Sequence, residues 1–270
     1  MQPLTIGIFD SGVGGLAVYQ EVRQRLPGAA YVYCFDNKHF PYGSLHEDAV
    51  IQYTLDAAVP LVQQYQLNLL IIACNTASTV VLPPLRQLLP IPVIGVVPAI
   101  KPAAAATKTG TIGLLATPAT VQRRYSDELI LQHASGCQVV RVGSSVLVEL
   151  AERKLRGAVP SLALAVQREI APLFASGPGP KQIDTVVLGC THFPLLAAEL
   201  KQAAPWPVQW LDSGAAIAAR CRELAHKHHL VEVEAPPPGI AVCTQADQAA
   251  QLLGPALRSL GLRSLTELRT

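Results

Sequence analysis

The sequence predicts an α/β fold built on parallel sheets. Short apolar runs recur along the chain, and each is followed by a turn signal and then by a longer segment with helical periodicity. Several runs are apolar on both faces, as in parallel strands that helices cover on both sides. The predicted strands span residues 4–9, 31–35, 69–73, 93–97, 111–116, 139–142, 185–188, 208–211 and 240–243.

Two helix starts carry local signals. Ser44 and Glu47 have the spacing of a capping box, which predicts a helix from this point to about Gln66. Thr117 precedes Pro118, and this order places a cap before a proline in the first helical position. Proline-containing segments at 97–106 and 204–207 are expected to be crossings between two halves of the chain.

The composition excludes several classes of protein. Half of the 270 residues are apolar, 15% are charged and the formal charge is +2, which is typical of a globular protein and not of a disordered one. With a net charge this close to zero, we do not expect the basic surface that nucleic-acid binding requires. The uncharged stretch 57–85 contains glutamines and prolines, so it is not expected to span a membrane.

The N-terminus and the cysteines predict a cytoplasmic protein. The first residues lack a basic region and a small-residue cleavage site, so no export signal is expected. The six cysteines include no Cys-x-x-Cys pair, and we expect them to remain thiols. The three histidines near residue 228 lack partners at metal-ligand spacing, so no metal site is expected.

Two segments of the chain repeat one pattern. An apolar run ends in ACNT at 73–76, and another ends in GCTH at 189–192. Cys74 and Cys190 thus follow predicted strands, where ligands bind in open parallel sheets and where helix N-termini favour a thiolate. His192 could exchange protons with Cys190. A single buried cysteine is more often a core residue, but the matched pair favours a role in catalysis.

The segment DSGVGG at 10–15 follows the first predicted strand. It is not the Gly-x-Gly-x-x-Gly of a dinucleotide site, and Asp10 would face the pyrophosphate, so we exclude that interpretation. The glycines would instead allow the backbone to approach a ligand closely. Asp10 could contact a ligand ammonium or accept a proton from Cys74, although Asp10 or Ser11 could also be a plain helix cap.

Other candidates carry weaker signals. The loop containing Pro41, Tyr42 and Gly43 lies beyond the second predicted strand, on the same rim. Thr117 and Thr120 offer two hydroxyls, of which one could serve only as a cap. Glu152 is interpreted as an exposed helix residue with an accessory role at most, and Asp212 as a cap.

Taken in order, these motifs resemble those of bacterial glutamate racemases. They are GIFDSGVGG at 7–15, PYG at 41–43, ACNTA at 73–77 and LGCTHFP at 188–194, and the resemblance runs from about residue 6 to residue 214. The double cysteine motif separates this group from single-thiol relatives in the wider aspartate/glutamate racemase superfamily.

The resemblance implies a racemase that needs no cofactor. Cys74 would deprotonate D-glutamate with the aid of Asp10, and Cys190 would deprotonate L-glutamate with the aid of His192. The substrate would be held by residues near both cysteines, namely Asp10, Ser11, Pro41, Tyr42, Gly43, Asn75, Thr76, Thr117, Thr120, Thr191 and His192.

The resemblance also implies an architecture and partners. Two doubly wound α/β domains related by pseudo-two-fold symmetry would face one crevice that holds the active site, with residues 1–98 and 208–270 in the first domain and 99–207 in the second. Family members are often homodimers and supply D-glutamate for peptidoglycan synthesis. The segment 146–155 resembles that of members activated by UDP-N-acetylmuramoyl-L-alanine.

Three other functions are consistent with the same residues. Aspartate racemisation uses the same chemistry on a side chain one methylene shorter, which a pocket distinguishes by only about 1–3 kcal/mol. A redox protein would pair Cys74 with Cys190 in a disulfide. A binding protein without turnover would keep the motifs as relics, and the intact pair of cysteines argues against it.

Overall fold

The computed structural model describes residues 2–157 and 162–269. The chain divides into two compact units, Met1–Val96 with Gly214–Thr270 and Val97–Ser213. Within the described residues, the first unit has a six-stranded sheet and a two-stranded sheet, and the second unit has a four-stranded sheet. Every strand pair in these sheets is parallel. The predicted α/β class with parallel sheets is confirmed.

The elements alternate between strand and helix over most of the chain. The strands are β1 Gln2–Pro3, β2 Thr5–Asp10, β3 Ala30–Phe35, β4 Leu69–Ile72, β5 Val93–Gly95, β6 Thr111–Ala116, β7 Gln138–Gly143, β8 Thr185–Leu188, β9 Gln209–Leu211, β10 Leu230–Val231, β11 Gly239–Cys243 and β12 Leu262–Glu267. The α-helices are α1 Leu16–Arg25, α2 Glu47–Gln64, α3 Asn75–Ser78, α4 Leu82–Leu88, α5 Ile100–Ala106, α6 Pro118–Gln122, α7 Arg124–His133, α8 Val146–Leu155, α9 Ala163–Ile170, α10 Ala197–Ala203, α11 Gly214–Lys227, α12 Gln248–Gln251 and α13 Gly254–Ser259. Short 3-10 helices span Tyr42–Ser44, Ala171–Phe174 and Phe193–Leu196.

Apolar strands form the centre of each unit. The larger sheet has the order β12-β11-β3-β2-β4-β5, and the sheet of the second unit has the order β7-β6-β8-β9. All four residues of β4 and all four of β8 are buried, which is typical of parallel strands that are covered on both faces. In α11 the buried positions Ile217, Ala218 and Cys221 have the spacing of one helix face, and α11 packs against α1.

The nine predicted strands are all present, with ends that differ by at most two residues. Three strands were not predicted, namely β1, β10 and β12. The first two contain two residues each, and β12 has the sequence LRSLTE, whose polar residues lie at a sheet edge. Neither case produces the continuous apolar run on which the prediction depends.

One helix start is confirmed and one is wrong. Thr117 caps α6, and its side chain accepts a hydrogen bond from the Thr120 amide, as predicted. The capping box at Ser44 does not form, because Ser44 ends a 3-10 helix and its hydroxyl donates to the Pro41 carbonyl. The cap of α2 is His46, whose ring accepts from the Asp48 amide at 3.4 Å.

The second boundary between the units lies later than position 208. Strand β9 pairs with β8, with Trp210 opposite Val186, so Gln209–Leu211 belongs to the sheet of the second unit. The sequence had assigned this strand to the first domain. An apolar run indicates a strand but does not identify the sheet that the strand joins.

Among the described residues, no helix is both long enough and apolar enough to cross a bilayer. The uncharged stretch 57–85 is divided among α2, β4, α3 and α4.

Candidate active site

Two strand ends, one in each unit, carry the candidate chemistry. Cys74 lies two residues beyond β4, and Cys190 lies two residues beyond β8. Both thiols are buried, with 5% and 6% of their surface exposed. The equivalent spacing after two fully buried strands agrees with the repeat seen in the sequence.

Cys74 lies among polar groups at the carboxyl end of the larger sheet. Its sulfur accepts a hydrogen bond from the Ala77 amide at 3.5 Å, as the cap of α3. The hydroxyl of Ser11 is 3.4 Å from the same sulfur. Since β2 and β4 are neighbouring parallel strands, the residues that end them meet at one edge of the sheet. We call Asp10, Ser11, Cys74, Asn75 and Thr76 the Cys74 cluster.

Asp10 is fully buried at the end of β2, and its carboxylate accepts a hydrogen bond from the Gly12 amide at 2.7 Å. Gly15 packs against it: a Cβ at this position would lie 2.8 Å from the Asp10 Cβ. A side chain at position 15 would therefore displace the carboxylate.

Asn75 contributes an unsatisfied polar atom. The residue is 5% exposed, and its Oδ1 has no hydrogen-bond partner within the part of the chain that the structure describes. A buried acceptor without a donor costs about 1–3 kcal/mol. A ligand that carries N–H donors would remove this cost.

The loop containing Pro41, Tyr42 and Gly43 lies beside the Cys74 cluster. Pro41 is exposed, Gly43 is half-buried, and Tyr42 is buried in the same core cluster as Phe9 and Cys74. The Tyr42 hydroxyl donates to Asp36 Oδ2 at 2.6 Å. Burial and the adjacent Asp36 carboxylate raise the pKa of Tyr42, so the hydroxyl remains a donor.

Cys190 heads a chain of polar contacts in the second unit. Its sulfur is 3.8 Å from His192 Nδ1, and His192 Nε2 is 2.8 Å from Glu152 Oε1. The other carboxylate oxygen of Glu152 pairs with Arg156 Nη1 at 2.8 Å. With Thr191, these residues form what we call the Cys190 cluster.

The surroundings of His192 favour its charged form. Burial by itself would lower the pKa of this imidazole, but hydrogen bonds and charge interactions with Cys190 and Glu152 outweigh burial. The pKa of His192 therefore lies well above 6.5. The charged ring lies 3.8 Å from the Cys190 sulfur.

The interpretation of Glu152 as an exposed residue is wrong. Glu152 is 4% exposed, on the buried face of α8. The sequence analysis placed Glu152 on a helix, but it did not show that this residue faces His192, 40 positions later. Arg156 was also missed, although its spacing of four residues from Glu152 is a recognisable ion-pair signal.

The remaining predicted residues fall into two groups. Thr117 and Thr120 are buried after β6, the strand next to β8, and their hydroxyls lie 2.9 Å apart. Asp212 is exposed and lies two residues before the start of α11.

Sequence reasoning also missed Asp36 and Thr244. Both follow buried strands of the larger sheet, and the Thr244 hydroxyl donates to Asp36 Oδ1 at 2.6 Å. A polar residue directly after an apolar run was the signal that could have identified them.

Comparison with known proteins identifies relatives over nearly the whole chain. The family model described as Asp/Glu/Hydantoin racemase matches residues 6–221. A glutamate racemase from Pectobacterium atrosepticum is 47% identical over 98% of this chain and 91% of its own length. The Escherichia coli glutamate racemase, solved with L-glutamate and the activator UDP-MurNAc-Ala, is 46% identical with a TM-score of 0.92 over 99% of this chain and 98% of its own. The glutamate racemase isoform RacE1 from Bacillus anthracis is 28% identical with a TM-score of 0.82, over 100% of this chain and 98% of its own.

The fold and the match to the family model define the class: the chain belongs to the Asp/Glu/Hydantoin racemase family. Within that family it is a member of the glutamate racemases, and it is an isomerase.

Proposed function

We propose that this protein interconverts L- and D-glutamate by a two-base mechanism without a cofactor. The observation that carries the proposal is the pair of buried thiols at equivalent strand ends, each with its own polar partner, Ser11 for Cys74 and His192 for Cys190. Inversion at one carbon needs a base that removes a proton and an acid that returns one to the opposite face. Two thiols, one ionised and one protonated, meet this requirement.

Each cysteine would serve one enantiomer. Cys190 would act as the thiolate that removes the α-proton of L-glutamate, assisted by the charged His192. Cys74 would act on D-glutamate, and buried Asp10 would assist it. In each direction the second cysteine returns a proton, so one turnover leaves the two cysteines with their protonation states exchanged.

The carbanion intermediate needs stabilisation, because an amino-acid α-proton is far less acidic than a thiol. Preorganised donors at the substrate carboxylate would supply it, and we assign this role to the buried Thr76 and Thr191 with their neighbouring backbone N–H groups. The unsatisfied Asn75 Oδ1 is suited to accept from the substrate ammonium group. We assign substrate contacts also to Ser11, to the loop Pro41, Tyr42 and Gly43, and to Thr117 and Thr120.

The physiological role we propose is to supply D-glutamate for peptidoglycan in the cytoplasm. Regulation by UDP-N-acetylmuramoyl-L-alanine is part of the proposal, because the Escherichia coli relative binds that activator and α8, which carries Glu152, has the segment that resembles activator-dependent members. Assays with and without the nucleotide test this point, and full activity without it would contradict it. We also propose a homodimer, which light scattering in solution tests.

The test of the reaction is incubation with L- or D-glutamate in deuterated water without added cofactor. We expect loss of optical rotation together with deuterium at the α-carbon, and no reaction with aspartate. Turnover of aspartate alone would favour the shorter substrate. Absence of exchange into either amino acid, with loss of thiols on mild oxidation, would favour a redox protein, and binding without exchange would favour a binding protein.

Single substitutions test the roles of the two thiols. We expect Cys74→Ala and Cys190→Ala each to abolish racemisation, because one base remains and the opposite face has no proton donor. Cys74→Ala should retain deuterium exchange into L-glutamate only, and Cys190→Ala into D-glutamate only. Cys137→Ala, which removes a half-buried thiol outside both clusters, is the matched control and should racemise normally. Two-way turnover in either active-site variant would overturn the mechanism.

A further inference from the structure

A buried carboxylate in the first unit connects the C-terminal part of the chain to the loop beside Cys74. Asp36 is fully buried after β3 and accepts hydrogen bonds from three side chains. They are the Tyr42 hydroxyl at 2.6 Å, the Thr244 hydroxyl at 2.6 Å and His39 Nδ1 at 3.0 Å. We call Asp36, His39, Tyr42 and Thr244 the Asp36 cluster.

The position of Thr244 is set by the sheet. Strands β3 and β11 are parallel neighbours, with Cys243 opposite Phe35, so the next residue of each strand meets at the same edge. The Thr244 amide donates to the Phe35 carbonyl at 3.2 Å. The pairing of β11 with β3 and the hydrogen bond of the Thr244 amide therefore hold Thr244 beside Asp36.

Further hydrogen bonds fasten the residues after β3 to the same segment. The Lys38 amide donates to the Thr244 hydroxyl at 3.1 Å, so this hydroxyl both accepts from Lys38 and donates to Asp36. Asn37 and Gln245 are joined by a reciprocal pair, with Asn37 Nδ2 donating to the Gln245 carbonyl at 2.7 Å and the Gln245 amide donating to Asn37 Oδ1 at 3.2 Å. One of the three donors that orient the Asp36 carboxylate thus comes from a residue 208 positions away.

Tyr42 transmits this orientation to the loop. Its ring packs against Phe9 with centroids 6.4 Å apart, and its hydroxyl ends on Asp36. The side chain is therefore held at both ends, and this fixes the backbone of Pro41 and Gly43 on either side of it. That backbone lies next to the Cys74 cluster, because Tyr42 and Cys74 pack in the same hydrophobic core.

We propose that Thr244 is a positioning residue for the substrate-binding loop Pro41–Gly43 and that it acts through Asp36. The inference rests on the proposed racemase function and adds a contribution from a residue outside the range 6–221 that the family model matches. Loss of the Thr244 hydroxyl leaves Asp36 with fewer donors, and the carboxylate and Tyr42 then lose their fixed geometry. The loop would hold substrate in the ground state and in the transition state alike. We therefore expect loss of the Thr244 hydroxyl to raise KM and to leave kcat nearly unchanged.

The test is steady-state racemisation by Thr244→Val, which keeps the shape of the side chain and removes its hydroxyl. We expect KM for both enantiomers to rise about tenfold, as for loss of a hydrogen bond to a charged group, with kcat within about twofold of the wild type. Thr244→Ser should restore the wild-type KM. Thr266→Val on β12, the strand that pairs with β11, removes an exposed hydroxyl that lies 3.2 Å from the Tyr65 hydroxyl and outside the Asp36 cluster, and it should leave both constants unchanged.

A double-variant cycle with Tyr42→Phe separates positioning from a general loss of stability. If Thr244 acts through Asp36 and Tyr42, the double variant should raise KM no more than about twofold beyond the larger single effect. Thermal unfolding of each variant shows that the protein remains folded at the assay temperature. An unchanged KM in Thr244→Val, or additive effects in the cycle, would overturn the inference while the racemase function stands. A wild-type enzyme without glutamate turnover would overturn both.

Discussion

Glu152 is the residue on which the charge balance of the Cys190 cluster depends. It is a buried carboxylate between His192 and Arg156, at 2.8 Å from each. A buried charge is tolerated when its partners carry the opposite charge and satisfy its oxygens. Because Glu152 contacts the ring of His192, we describe it as a positioning residue for the histidine.

Replacement of Glu152 by glutamine tests this role. The carboxylate raises the pKa of His192, so Glu152→Gln lowers that pKa and the imidazolium is lost at a lower pH. We expect the alkaline limb of kcat/KM to move to lower pH and kcat/KM at neutral pH to fall about tenfold or more. The fall should be equal in both directions, because the two enantiomers have the same free energy.

The control for this prediction is Glu149→Gln, an exposed position in the first turn of the same helix α8. It should change neither the rate nor the pH profile. An alkaline limb that stays in place in Glu152→Gln would contradict the assigned role.

At the scale of elements, the amino end of β8 is tied to the turn before β6 by Asp184. Its carboxylate accepts from the Thr107 hydroxyl at 2.6 Å and from the amides of Lys108 and Thr109 at 2.7 and 3.1 Å. Partial burial raises the pKa of Asp184, but these hydrogen bonds outweigh burial and the pKa lies below the usual 3.8. The ionised carboxylate therefore stabilises the folded second unit.

The pH dependence of Asp184→Asn follows from the sign of that shift. A carboxylate whose pKa is lower in the folded state than in the unfolded state stabilises the fold at pH values above the unfolded-state pKa. This contribution is lost as the pH falls through the folded-state pKa. We expect Asp184→Asn to lower the free energy of unfolding by about 1 kcal/mol at pH 7, a small value because the carboxylate is partly exposed to solvent. The difference from the wild type should shrink below pH 3.8.

Denaturant unfolding at several pH values checks this. Glu128→Gln, which removes an exposed ion pair with Arg124, is the control and should change stability very little. A difference between Asp184→Asn and the wild type that persists unchanged at low pH would contradict the assignment.

The element scale also shows where local patterns fail. The predicted start of α2 was wrong because Ser44 takes part in a preceding 3-10 helix, and His46 provides the cap instead. The start of α6 was right because Thr117 and Pro118 act only on their own helix. A cap signal is dependable when no competing turn uses the same hydroxyl.

At the scale of the whole molecule, ligand binding should be measurable as stability. A ligand that binds only the folded state at 100 times its Kd adds about 2.7 kcal/mol to the free energy of unfolding. For a chain of this size we expect glutamate at that concentration to raise Tm by about 5–10 °C. Differential scanning calorimetry checks this, with aspartate at equal concentration as the control. An equal shift with aspartate would contradict the proposed preference for glutamate.

The sequence by itself determined the α/β class, nine of the strands and the two cysteines at strand ends. An apolar run followed by polar residues is a local pattern, and it can be recognised within a few positions of Cys74 or Cys190. The same locality made Asp10, Asn75 and His192 recognisable as candidates, since each lies within two residues of a strand end or of a cysteine.

Only the tertiary structure decided which distant residues contact one another. Glu152 reaches His192 across 40 positions, Thr244 reaches Asp36 across 208, and β9 joins the sheet of the second unit by pairing with β8. Each of these depends on which face of a helix or which neighbour of a strand is buried, and that choice is made by the packing of the whole unit. A single sequence records the residues that take part in such contacts but not the pairs that they form.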